Sequence, residues 1–202
     1  RGGAFAVSVH AEALQGRAVM PGAGGEQAFS TDPIELRVES SDLADAVRLT
    51  LNTAAQVAGN AAGVVQADVT ANGLLTDAGA VRTGGPESVE GLVLIDELAT
   101  AVLQPFADAS GLDLGRDIGP ALTAQLNGTA SFGDGGVPDT DASFEIAAEH
   151  LTAVGAATVR EGVLSVGGTG EGEITARLAR VGPALNSFLV DRGVNITRGG
   201  PA

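Results

Sequence analysis

Apolar and polar residues alternate with a period of two along most of this chain. The longest such stretch runs from Ala46 to Leu75. Its odd positions carry Val47, Leu49, Leu51, Ala55 and Val57, then Val65, Ala67, Val69, Ala71 and Leu75. Its even positions carry Arg48, Thr50, Asn52 and Gln56, then Gln66, Asp68, Thr70 and Asn72. Alternation of this kind gives a strand one apolar face and one wet face. With Gly59-Asn60 as the turn, the stretch predicts a hairpin whose arms of about eleven residues each extend roughly 36 Å.

The same pattern predicts further strands. Ala4 to Leu14 places Phe5, Val7, Val9, Ala11 and Ala13 against Ser8, His10 and Glu12, and Ile34, Leu36 and Val38 alternate with charged residues. Leu122, Ala124, Leu126, Ala130 and Phe132 oppose Thr123, Gln125, Asn127, Thr129 and Ser131. Phe144, Ile146 and Ala148 repeat the alternation after a loop at 133–138, and shorter strands are expected at 151–160, 162–166 and 174–178. Glycine and proline predict loops at 20–31 and 76–90, and Ser41 could cap one helical turn over 41–45. Two short helices are predicted. In the first, Ile95, Leu98, Ala99, Val102, Leu103 and Phe106 recur at helical spacing, Asp96 and Glu97 suit its start, and Pro105 ends or bends it. The second covers Pro183–Val190, with Pro183 at the first helical position.

The fold expected is therefore mainly β: long antiparallel strands in a curved, groove-like or sandwich-like sheet with two short helices. Residues 1–202 read as a single β-rich fragment of a longer chain. Ala46–Asn52 lines up with Ala121–Asn127, which suggests approximate repeat units over 34–110 and 111–193.

Composition narrows the functional classes. The chain is acidic, with a formal net charge of −14, and its eleven basic residues are all Arg, so nucleic acid is not an expected partner. There are six Phe but no Trp, Tyr or Cys, which leaves a core rich in Ala, Val and Leu and excludes thiol chemistry. No run of eighteen apolar residues occurs, so no bilayer-spanning helix is expected within this stretch.

Candidate chemistry is sparse. His10 and His150 each neighbour a glutamate but have no third ligand at usable spacing, so they read as solvated side chains rather than zinc ligands. Asp134 to Asp141 lacks the closing glutamate of a calcium loop. Gly167–Gly172 lacks the Lys-Ser/Thr of a phosphate loop and carries acidic Glu171. No Ser, His and Asp arrangement is present in usable context, so an enzyme is not expected, nor a cofactor or metal. Asn127-Gly128-Thr129 and Asn195-Ile196-Thr197 match the glycosylation pattern.

The layout resembles a known family. A strand feeding a short helix at 92–106 and again at 178–189, together with the tetrapeptide Gly-Pro-Ala-Leu at Gly119–Leu122 and Gly182–Leu185, is similar to AsmA-like bacterial envelope proteins. These belong with the repeating β-groove, bridge-like lipid-transfer proteins. The resemblance implies a periplasmic location in the cell envelope, membrane contact through other parts of the parent chain, and an apolar groove along which phospholipid or another apolar ligand moves. It implies no catalytic residues. Combined with the alternation, it makes Val47, Leu49, Leu51, Val65, Val69, Leu122, Leu126, Phe132, Phe144 and Ile146 the expected groove lining. The same alternation describes a β-sandwich, and a structural or adhesive β-repeat of a bacterial surface protein with no ligand is the rival reading.

Overall fold

The structure is a computed structural model that describes residues 7–14, 17–22, 25–42, 46–76, 78–108, 110–133, 137–166 and 174–191. Among the described residues it contains one antiparallel sheet of twelve strands. In chain order these are β1 (Val7–Leu14), β2 (Arg17–Gly22), β3 (Gly25–Thr31), β4 (Ile34–Asp42), β5 (Ala46–Val57), β6 (Asn60–Asn72) and β7 (Ser88–Ala99). A 3-10 turn at Thr100–Val102 and two short helices, α1 (Gln104–Asp108) and α2 (Leu114–Asp117), come next. Then follow β8 (Ala121–Ser131), β9 (Asp139–Ala148), β10 (Leu151–Arg160), β11 (Val163–Val166), β12 (Thr175–Leu178) and α3 (Pro183–Asp191). The main path through the sheet is β1-β4-β5-β6-β7-β8-β9-β10-β11. Among the described residues no second sheet faces it, so the architecture is an open sheet rather than a sandwich.

Local chemistry explains the long central strands. The β5–β6 hairpin closes through Ala58 (φ 50°) and Gly59 (φ 80°), with Val57 paired to Asn60. Two successive positive φ values give the two-residue turn whose twist matches the flanking strands. The turn therefore sits one residue earlier than Gly59-Asn60. Both outer strand edges are shared. β4 pairs with residues 46–52 of β5 and β3 with residues 55–57, the chain turning at Asp32-Pro33 between them. On the far side, β12 pairs with the start of β10 and β11 with its end.

Three expectations are corrected. The stretch 20–31 is not a loop, since most of it forms the β2–β3 hairpin. Ser41 belongs to β4, and the rest of the turn expected there, 43–45, lies outside the described residues. The helix expected from Ile95 is strand as far as Ala99. The cause is a β-bulge: Ile95 pairs with Ala124 and Leu98 with Leu122, so β7 spends one residue more than β8. The bulge puts residues three apart on the same face and thereby imitates helical spacing. Asp96 and Glu97, which suited a helix start, are the exposed bulge residues, and Glu97 takes φ 47°. Pro105 does not end a helix but lies in the first turn of α1, where its missing N–H costs nothing.

The two Gly-Pro-Ala-Leu copies take different structures. Gly119–Leu122 leads into strand β8, whereas Gly182–Leu185 opens helix α3. The stretches Ala46–Asn52 and Ala121–Asn127 occupy β5 and β8, three antiparallel steps apart, and so run in opposite directions. Sliding one along the sheet does not map it onto the other. Residues 4–6 of the first expected strand, Gly167–Gly172 and Asn195–Thr197 lie outside the described residues, as do 134–136.

Candidate functional site: the apolar face of the sheet

The register shows how apolar positions combine across strands. Val38, Leu49, Val69, Gly91, Gly128, Ala142 and Ala157 are successive partners from β4 to β10, and therefore share one face. The next row runs Leu36, Leu51, Ala67, Val93, Leu126, Phe144 and Gly155. A third row joins Thr53, Val65, Ile95, Ala124, Ile146 and Ala153, and a fourth joins Val47, Ala71, Val89, Ala130, Thr140 and Val159. These rows contain no charged residue, and their only hydroxyls are those of Thr53 and Thr140. At about 4.8 Å between strands and roughly 6.7 Å between rows, the face measures about 30 Å by 20 Å, or roughly 600 Å².

Nine of the ten residues expected to line a groove meet here. Val47, Leu49, Leu51, Val65, Val69, Leu126, Phe144 and Ile146 lie in the four rows, and Leu122 extends the face through its pairs with Leu98 and Ala148. Phe132 stands apart, one residue past β8, where its N–H donates to the Glu87 carbonyl (2.9 Å). It lines a separate recess with Val81, Arg82 and Pro86. Sequence reading missed Val89, Val93 and Ile95. Their alternation is present in β7, but Leu92 and Leu94 on the opposite face blur it into a continuous apolar run.

Side chains on this face are unevenly covered. Leu98 and Leu122, nearest the helices, are buried at 6% and 8% exposure, as is Leu185 of α3. None of the residues in the four rows is buried, and Leu126, two positions from Leu122 on the same strand face, is 43% exposed. What contact the rows do have is mutual. A Cβ at Gly155 would fall 2.7 Å from Phe144 Cζ and 2.8 Å from Ile174 Cγ1, so the Phe144 ring lies across the glycine. The Val69 side chain leans likewise over Gly91.

Polar chemistry is kept to the other face and the helical end. Arg48 Nε donates to Asp68 Oδ1 (2.9 Å) and Oδ2 (3.1 Å), and Arg160 Nη2 donates to both oxygens of Asp141 (2.6 and 2.7 Å). The hydrogen bond from Arg48 lowers the Asp68 pKa, and the carboxylates raise those of Arg48 and Arg160. Such exposed pairs organise the wet face but add little stability. At the helical end, Thr100 is buried, and its Oγ donates to the carbonyls of Gly119 (2.8 Å) and Pro120 (3.1 Å). Asp117 is buried too and accepts from Arg116 Nε (2.9 Å) and Nη2 (3.1 Å) and from the Asp113 N–H (3.3 Å). The Arg116 hydrogen bond lowers its pKa against the opposing effect of burial.

An open pocket of about 690 Å³ lies beside α1 and α2, lined by Thr100, Gln104, Asp108, Asp113 and Arg116 among others. Gln104 is used structurally: its Nε2 donates to Asp108 Oδ1 (2.6 Å) and the Leu112 carbonyl (2.7 Å), while its Oε1 accepts from the Leu114 N–H (2.8 Å). His150 has Nε2 3.8 Å from Glu149 Oε1. Among the described residues no group of three His, Cys, Asp or Glu could hold a metal ion, and no helix is long and apolar enough to cross a membrane. No protein-family profile, curated protein or solved structure matches the chain.

Proposed function

We propose that this chain is a non-enzymatic, AsmA-like component of a bacterial cell envelope, facing the periplasm, whose apolar sheet face shields or conducts lipid. The observation that carries the reading is the contrast along one face: buried Leu98 and Leu122 at the helical end beside four uncharged rows in which no residue is buried. An apolar face with a footprint of roughly 600 Å² and no layer over its rows stands at the upper end of the patches that monomeric soluble proteins leave uncovered. Acyl chains suit it, because they need an uncharged strip without isolated polar groups and no specific anchor. The run of Gly91, Gly128, Ala142 and Ala157 between rows of larger residues also leaves relief along the direction that crosses the strands. Leu49, Leu51, Val65, Val69, Leu126, Phe144 and Ile146 would line the path, with Val47 and Leu122 at its margins.

The test is solvent extraction of the purified chain followed by mass spectrometry. Phospholipid at a stoichiometric level is expected. A lipid-free chain that remains monomeric and takes up no acyl-chain probe would refute the reading in favour of a structural or adhesive β-repeat.

A further inference from the structure

At the helical end of the apolar face, neighbouring elements form a closed circuit. β3 pairs with β5 only from Phe29 to Thr31, so the rest of the β2–β3 hairpin projects past the β5–β6 turn, held there by the Ala58 N–H donating to the Ala28 carbonyl (3.0 Å). On the other flank, β7 continues through the 3-10 turn into α1, and α1 lies close beside β2. The succession β2–β3–β5–β6–β7–α1 thus returns to β2. Phe29, Ala62 and Leu98, all buried, lie at this end. The bend has a visible source, since β6 and β7 each carry a bulge at this level. Gly63 in the β6 bulge (φ 118°) comes so close to β7 that a Cβ would sit 2.5 Å from Leu98 Cα. Bulges bend a strand and increase its twist.

The links of this ring differ in strength. Neighbouring strands are joined by ladders, and β7 is joined to α1 by the chain. The α1–β2 link is only the proximity of a strand to a five-residue helix that buries no residue and has little stability of its own. It is the link that opens most readily. We propose that the α1–β2 contact is a clasp: closed, it bars the helical end of the apolar face, and opened, it admits an acyl chain. This inference rests on the lipid reading above.

Val19 of β2 and Phe106 of α1 are 54% and 72% exposed, and the chain has no cysteine of its own. Because α1 and β2 are neighbours, the pair Val19→Cys and Phe106→Cys can be joined by a long, flexible, reductively cleavable bis-maleimide at little loss of packing. Transfer of pyrene-labelled phosphatidylcholine from vesicles is then followed for the linked, unlinked and cleaved protein, with far-UV circular dichroism to show that the fold is unchanged. Transfer is expected to fall to background in the linked protein and to recover on cleavage. Transfer at the unlinked rate in the linked protein, or failure of the two thiols to link, overturns the clasp and leaves the lipid reading standing. No transfer in the unlinked protein overturns both.

Discussion

Truncating Leu122 and Leu126 in turn compares the covered and open parts of the apolar face. The two residues lie on the same face of β8, two cross-strand rows apart with the Ala124 row between them, and differ chiefly in exposure, 8% against 43%. Leu→Ala removes three carbons, worth about 0.8 kcal/mol each when fully buried, or about 2.4 kcal/mol at Leu122. The cavity left beside Leu98 raises the expected loss to about 3 kcal/mol. At Leu126 roughly half of the transfer free energy is already forgone, and no enclosed cavity forms, so the expected loss is about 1 kcal/mol. The chain lacks Trp and Tyr, so equilibrium urea unfolding should be followed by far-UV circular dichroism on lipid-free protein. Equal losses at the two positions would refute the reasoning, because they would mean that both rows are equally buried in solution. A larger loss at Leu126 would do so more strongly.

Two further outcomes follow from the backbone and from charge. Gly63→Ala should cost about 3 kcal/mol, since its positive φ and close approach to the Leu98 backbone both exclude a Cβ, whereas Gly59→Ala, with open space around it, should cost about 1 kcal/mol. Urea midpoints check this, and a tolerated Gly63→Ala would contradict the close β6–β7 approach. Asp117 has a lowered native pKa because Arg116 hydrogen-bonds its carboxylate, so the group's contribution to stability is complete above the ordinary aspartate value of about 3.9 and is lost as pH falls through the native value. Asp117→Asn should therefore flatten stability against pH below about pH 4, and an unchanged acid slope in urea unfolding would argue against the Arg116 pairing.

Most of the strands, and which side of each is apolar, were legible in the alternation alone, whereas the β2–β3 hairpin and the end of β7 were not. A period of two is a local property, set by the pleat, and it put Val47, Leu49, Leu51, Val65, Val69, Leu126, Phe144 and Ile146 each on the apolar side of its own strand before any pairing was known. What pairing alone could decide is visible where periodicity misleads. The β7 bulge makes Ile95 and Leu98 share a face three residues apart, so the sequence there reads as helix. Gly-Pro-Ala-Leu becomes a strand start at Gly119 and a helix start at Gly182, because its neighbours in space rather than its own residues select the conformation. Whether a face is covered is likewise not a local property. Leu122 and Leu126 have the same side chain in the same alternation, yet one is buried with Leu98 at the helical end and the other lies in an open row. Hydrophobic pattern specifies which way a side chain points. Only the tertiary arrangement specifies what, if anything, it points at.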